Sequence, residues 1–289
     1  MTLWQLAEWL EQHFHQQLPL SLLAKKVGCS TRQLGTRFRQ TFRDTPAAYI
    51  QKRRLTLASN LLRCTSRSIT DIALMYQFSH LPSFTRAFRN QFGQSPLAYR
   101  LADCWDMARF YPSVAVAGFN CHTDIVFLPE NICIMPTNNK KKEIHFGVDF
   151  IINTENGKII SYQQLNQSLI DIIFREDIDY PLTVYGESTP AKDCDIYVDI
   201  CMGHLAPCSS KQKGIQIPPG NYARFVFKGD PINIIQFHTW AKGHGMHMFQ
   251  LVMKKGPTFS IFNKTATEGI YTTEYYIPCL YTYTTSARL

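Results

Sequence analysis

The sequence predicts two domains of different class: an all-α N-terminal domain built as a double helix-turn-helix, and a C-terminal domain of mixed α+β pattern. Three observations predict this. The pattern Phe-x3-Phe-x3-Pro-x2-Tyr occurs twice, as Phe38, Phe42, Pro46, Tyr49 and as Phe88, Phe92, Pro96, Tyr99. Basic charge is concentrated in the first hundred residues. Beyond about residue 125 helical spacing gives way to mixed alternation.

The repeat extends upstream. Leu20, Leu23, Ala24 and Ser30 match Ile69, Ile72, Ala73 and Ser79 once one residue is inserted. Self-similarity of this kind marks one supersecondary unit used twice. Its content is a short helix, a turn, a second helix and an exit, the outline of a helix-turn-helix. The segment Met1–Leu10 has helical spacing and neither a basic lead nor a cleavage site, so it is expected as a first helix.

In the first unit Leu20, Leu23, Ala24 and Val27 mark the inner stripe of a helix, and Gly28 offers the left-handed conformation its end needs. Ser30 to Gln33 has capping-box spacing. Leu34, Phe38 and Phe42 then face inward. Thr31, Arg32, Gly35, Thr36 and Arg39 are left for the opposite face, where a recognition helix meets the major groove.

In the second unit Ser68 to Asp71 is expected to open a helix as another capping box, and Ser79 to cap the next. Phe84, Phe88 and Phe92 face inward as core, and His80, Leu81, Pro82, Ser83, Thr85, Arg86 and Arg89 are left for the groove. A spacer helix is expected over 49–63. Near its start Lys52, Arg53 and Arg54 are either phosphate contacts or salt-bridge partners.

Residues 1–100 hold 14 Lys+Arg against 4 Asp+Glu, net +10, whereas the chain as a whole is +8. A basic face confined to one half of a chain points to a polyanion, and double-stranded DNA is the expected partner. No apolar run is long enough to span a membrane. Nine cysteines without a C-x2-C pair read as reduced thiols of a cytoplasmic, nucleoid-associated protein. His244-x2-His247 has no nearby acidic or thiol partner, so no metal and no cofactor is expected.

Arg54-Leu-x2-Ala58-x2-Leu-Leu, Ser68-Ile-x-Asp-Ile-Ala73 and Phe84-x-Arg-x-Phe88-Arg-x2-Phe-Gly93-x-Ser-Pro96-x2-Tyr-Arg100 resemble the AraC/XylS signature. With that domain first and a long segment after it, the chain is similar to the Rob-type branch near the Mar and Sox regulators. The resemblance covers residues 4–100. It implies a bacterial transcription activator that binds two successive major grooves as a monomer and recruits RNA polymerase. It also shows departures. Arg32 stands where those regulators carry a groove-inserted Trp, Gly35 and Thr36 replace a Gln-Arg pair, and Leu81 and Pro82 replace a Gln pair. Arg32 therefore reads guanine or contacts a phosphate.

After a joining segment at 105–125, strands are expected at 126–135, 145–152, 195–200, 222–227 and 274–277, and helices at 162–174 and 232–242. Tyr185-Gly-Glu-Ser-Thr-Pro190, Asp195-Ile-Tyr-Val, Pro219-Gly-x-Tyr222-Ala, Trp240 and Glu274-Tyr-Tyr-Ile-Pro278 follow the order of the gyrase-inhibitor-like (GyrI-like) ligand domain. That resemblance implies an α+β domain with an antiparallel sheet and helices over 126–289, which senses a small amphipathic or cationic effector. Glu274 matches the family's carboxylate. Tyr185, Tyr222 and Trp240 are candidate aromatic walls. For Glu274 the alternative is solvent or a local arginine, and for Trp240 it is the core. A hydrolase-like enzyme and a protein-interaction or sequestration module remain alternatives for this half. No coherent nucleophile, base and orienting group supports catalysis.

Overall fold

The computed structural model describes residues 1–116, 118–136, 142–146, 162–174, 179–190, 196–207 and 214–280. These form two compact units. The helical unit takes residues 1–63, 67–102 and 109–118, and the sheet unit takes 64–66, 103–108 and the chain from Phe119 onward. The span 105–125, expected as a joining segment, thus contributes structure to both. No helix among the described residues is long and apolar enough to cross a membrane.

The helical unit contains α1 (Leu3–Glu11), α2 (Leu20–Val27), α3 (Thr31–Phe42), α4 (Pro46–Cys64), α5 (Ile69–Met75), α6 (Leu81–Phe92) and α7 (Pro96–Leu101). The repeat in sequence is a repeat in packing. Phe38 lies 4.7 Å from Phe42 and 5.6 Å from Tyr49, ring centre to ring centre. The matching Phe88 lies 4.5 Å from Phe92 and 5.2 Å from Tyr99. Spacing of four puts each pair of phenylalanines on one helix face. The proline that opens the next helix then returns the tyrosine to the same cluster. Thr45 Oγ1 accepts from Ala48 N at 3.2 Å, and Ser95 Oγ accepts from Ala98 N at 3.2 Å, so both exits are capped alike.

The turns also correspond. Cys29 N donates to Ala24 O, and Phe78 N donates to Ala73 O. Gly28 is left-handed at φ 74°, and Gln77 holds the equivalent place at φ 65°. The single inserted residue falls after Gln77. In consequence His80, not Ser79, caps α6, and it does so without a side-chain bond. Pro82 sets that start, because it lacks an N–H and belongs in the first turn. Ser30 and Gln33 form the expected reciprocal capping box. Ser68 accepts from Asp71 N but receives no return bond, so the second expected box is half made.

The sheet unit holds β1 (Cys104–Asp106), β2 (His122–Leu128), β3 (Ile132–Pro136), β4 (Lys142–Phe146), α8 (Tyr162–Ile173), β5 (Leu182–Pro190), β6 (Ile196–Pro207), β7 (Ile215–Ile217), β8 (Gly220–Gly229), α9 (Pro231–Trp240), α10 (Met246–Met248), β9 (Val252–Lys254), β10 (Thr258–Lys264) and β11 (Tyr271–Leu280). Every pairing is antiparallel, and the main run is β2-β8-β11-β10-β5-β6-β3-β7. Of the expected strand readings, residues 147–152 and Asp195 lie outside the described residues.

Opposed residues of an antiparallel pair share a sheet face. One transverse row therefore reads Asp124, Arg224, Tyr276, Phe259, Tyr185, Cys201. The other face presents Leu182, Val184, Ile200 and Phe262 to Leu169, Ile170 and Ile173 of α8 and to Ile234 and Ile235 of α9. Six described cysteines are free, but Cys133 on β3 is disulfide-bonded, so the expectation of nine reduced thiols fails there. Linear spacing carries no record of such a pairing.

Candidate nucleic-acid interface and a charged sheet face

The outer face of α3 follows from its inner one. With Leu34, Phe38 and Phe42 buried, Thr31, Arg32, Thr36 and Arg39 are exposed and Gly35 is half-buried. On α6 Phe84, Phe88 and Phe92 are buried. His80, Leu81, Pro82, Ser83, Arg86 and Arg89 are exposed, and Thr85 is half-buried. Arg32, Arg39, Arg86 and Arg89 take part in none of the ion pairs among the described residues. Four exposed arginines on two helices are thus free to meet phosphate or the O6/N7 edge of guanine.

The basic triplet of α4 is different. Lys52 Nζ lies 2.7 Å from Asp44 Oδ2 and 4.9 Å from the centre of the Tyr111 ring. Arg53, 5% exposed, donates to both oxygens of Glu11 at 3.1 and 2.6 Å and to the Tyr111 carbonyl at 2.6 Å. Arg54 donates to the carbonyls of Phe14 and Gln16. All three are used within the fold: Lys52 and Arg53 take the salt-bridge alternative, and Arg54 binds backbone carbonyls. Tyr49 joins the network by donating to Glu11 Oε1 at 3.1 Å. Burial, with the Glu11 charge beside it, pushes the Tyr49 hydroxyl up to about 12.

In the sheet unit Glu274 lies on the face away from α8 and α9. Its Oε2 accepts from Arg224 at 3.3 Å and from the Tyr276 hydroxyl at 2.8 Å. Arg224 also grips Asp124 with two bonds, at 2.9 and 2.5 Å. The guanidinium hydrogen bonds hold the Asp124 carboxyl below its ordinary range, and Asp124 in turn raises Arg224. Burial, then the Glu274 hydrogen bond, moves the Tyr276 hydroxyl up to about 12. Phe259 stacks on Tyr276 at 4.4 Å and 6°, and meets Tyr222 at 5.6 Å. Tyr185 donates to Glu187 at 2.7 Å, and Tyr222 to the Pro218 carbonyl at 2.9 Å.

Trp240 does not belong to this face. It is 4% exposed and packs on Phe119 and Phe237. Its helix, α9, lies on the opposite side, where His238 stacks on Tyr275 and bonds Thr273. Thr273 and Tyr275 flank Glu274 in the strand and so point the other way. Trp240 is core, and the expectation of a ligand wall there is corrected.

Residues 23–102 match a family model described as a helix-turn-helix domain. The regulatory protein SoxS of Salmonella typhimurium is 40% identical over 95 residues, covering 33% of this chain and 89% of that protein. The chain belongs to the AraC/XylS family. The transcriptional regulator Rob of the same organism is 27% identical over 261 residues, 86% of this chain and 85% of that protein. YkgA of Escherichia coli K12, a putative HTH-type regulator by name, is 40% identical over 112 residues, 39% of this chain and 47% of that protein.

As an AraC/XylS member this chain is a DNA-binding transcription regulator of Rob-like, two-domain architecture. Relative to the sequence reading, the fold removes Trp240 and adds Arg224, Asp124, Tyr276 and Phe259 around Glu274. The missing signal was strand register. Arg224 sits two residues after Tyr222 on an alternating strand, which puts it on the same face.

Proposed function

We propose that this regulator is an activator that binds as a monomer through two successive major grooves, α3 in one and α6 in the next, and recruits RNA polymerase. The observation that carries this reading is the pair of free-arginine faces joined covalently by α4. Dimeric readers need two chains to present two such helices. The test is stoichiometry on a duplex of about 20 base pairs selected by the full chain. One chain per site supports the reading. Two chains, or protection of a single groove, removes it.

We further propose that the sheet unit, in its part from Phe119 onward, is a GyrI-like effector domain that binds a small cationic or amphipathic molecule. Three acidic groups, Asp124, Glu187 and Glu274, share one sheet face with Arg224 and Lys228, beside the buried cluster of Tyr185, Tyr222, Phe259 and Tyr276. Arg224 is shared by two carboxylates, so Glu274 is only partly neutralised. A thermal-shift screen of cationic against neutral amphiphiles tests this, followed by Glu274→Gln. Loss of cation binding with neutral analogues unaffected is the expected result. Hits indifferent to Glu274→Gln refute the charge role.

A further inference from the structure

The two reader helices start on different chemistry. Their phases coincide at an offset of fifty, with Phe38 and Phe88, and the N-caps Ser30 and His80, in matching places. The first turn of α3 carries Thr31, Arg32 and Gln33. The first turn of α6 carries Leu81, Pro82 and Ser83. Leu81 is 39% exposed and Pro82 is exposed beside it.

A lone exposed leucine calls for no explanation. Two apolar residues leading the first turn of a reader helix do, because that turn is what meets base edges. Backbone donors beyond Leu81 do not compensate. Pro82 has none, and the N–H groups of Ser83 and Phe84 are both taken by the His80 carbonyl, at 3.1 and 3.2 Å. A polar base edge pressed against the Leu81 and Pro82 side chains would lose water and gain no partner from them, which is unfavourable. The major groove displays one apolar group, the C5 methyl of thymine.

We infer that the first turn of α6 reads thymine through Leu81 and Pro82, while Arg86, one turn on, supplies the polar contact. α3 has the opposite arrangement, with its arginine in the first turn at Arg32 and Thr36 where α6 has Arg86. The site is therefore chemically lopsided: the leucine–proline contact with thymine under α6 faces an arginine-bearing first turn under α3. This inference rests on the proposal that α6 enters a major groove.

The test begins with duplexes selected from a random library by the full chain. Each thymine of the selected site is then replaced by uracil, which removes the methyl and leaves every hydrogen-bonding group. Burial of one methyl is worth about a fourfold change in affinity. The expected result is a loss of about that size at one or two thymines in one half of the site. In Leu81→Ala the same replacements are expected to have no effect, while Arg32→Ala leaves the uracil effect intact. Leu81 is a surface side chain, so the variant keeps the fold, which circular dichroism checks. Specific binding that is indifferent to uracil throughout overturns this inference alone. A uracil effect that persists undiminished in Leu81→Ala does the same. A library that yields no selected sequence overturns the groove-reading proposal beneath it.

Discussion

Gly35 gives the sharpest perturbation of the first reader. It sits in the interior of α3, where glycine is less favourable than alanine by about 0.8–1.0 kcal/mol. Neither backbone nor packing asks for it. Its φ is not in the left-handed region, and a Cβ built there meets nothing within 4 Å. Gly35→Ala should therefore stabilise the helical unit by about 0.9 kcal/mol, a rise in melting temperature of roughly 4–5 °C for about 100 residues. On DNA the sign reverses. Gly35 lies between Arg32 and Thr36 on the groove side, and a methyl added to a close contact costs about 1–3 kcal/mol. Urea unfolding of the full chain, followed by hydrogen exchange in α3, reads the first effect. Titration of a selected duplex reads the second. Tighter or unchanged DNA binding would refute the idea that the glycine admits close approach of the duplex. An absence of stabilisation would refute the open-space argument.

Other expectations concern single contacts. Arg43 ends α3 in the left-handed region at φ 62°, where the matching residue of α6 is Gly93, so Arg43→Gly should stabilise by about 1 kcal/mol in urea unfolding. Glu11→Gln leaves the Arg53 guanidinium buried without its carboxylate and should destabilise by about 3 kcal/mol in the same assay. Lys52→Ala should change DNA affinity little, because Lys52 is held by Asp44, whereas Arg86→Ala should lose about 1–3 kcal/mol on the selected site and far less on random DNA. His238 is neutral in the fold, since burial lowers it to about 3. Its contribution is complete above the ordinary value near 6.5 and is lost as pH falls toward 3, at about 1.4 kcal/mol per pH unit. Unfolding at pH 7.5 and 5 should differ by about 2 kcal/mol on this account, and His238→Gln should remove that difference.

The helical unit was largely legible in the sequence because its determinants are local. Four-residue spacing of Phe38 and Phe42, a glycine after Val27 and a proline at 46 each act within one or two turns. Three details there differ: His80 and not Ser79 caps α6, the Ser68 box is only half made, and Leu20, expected inward, is exposed at the start of α2. The role of residues 109–118 was not legible. Tyr111 is tied to Asp44 and Arg53, more than fifty positions away, and nothing in its own neighbourhood announces that. The sheet unit shows the same limit. Glu274 was visible as a carboxylate on an aromatic strand, but Arg224 and Asp124 meet it only through strand register. Trp240 was misplaced because composition does not say which side of a sheet a helix covers.

The joining of two unlike reader helices by α4 has a consequence for promoters. A symmetric dimer sees a palindrome and reads it the same from either end. A single chain with Arg32 leading one reader and Leu81-Pro82 leading the other has no such dyad. If one chain occupies the site, as proposed above, that site has a head and a tail, and turning it around turns the whole protein around with it. On that proposal direction along the chromosome is written into the protein–DNA contact itself, and the regulator faces the transcription start or faces away from it according to the orientation of one non-palindromic sequence.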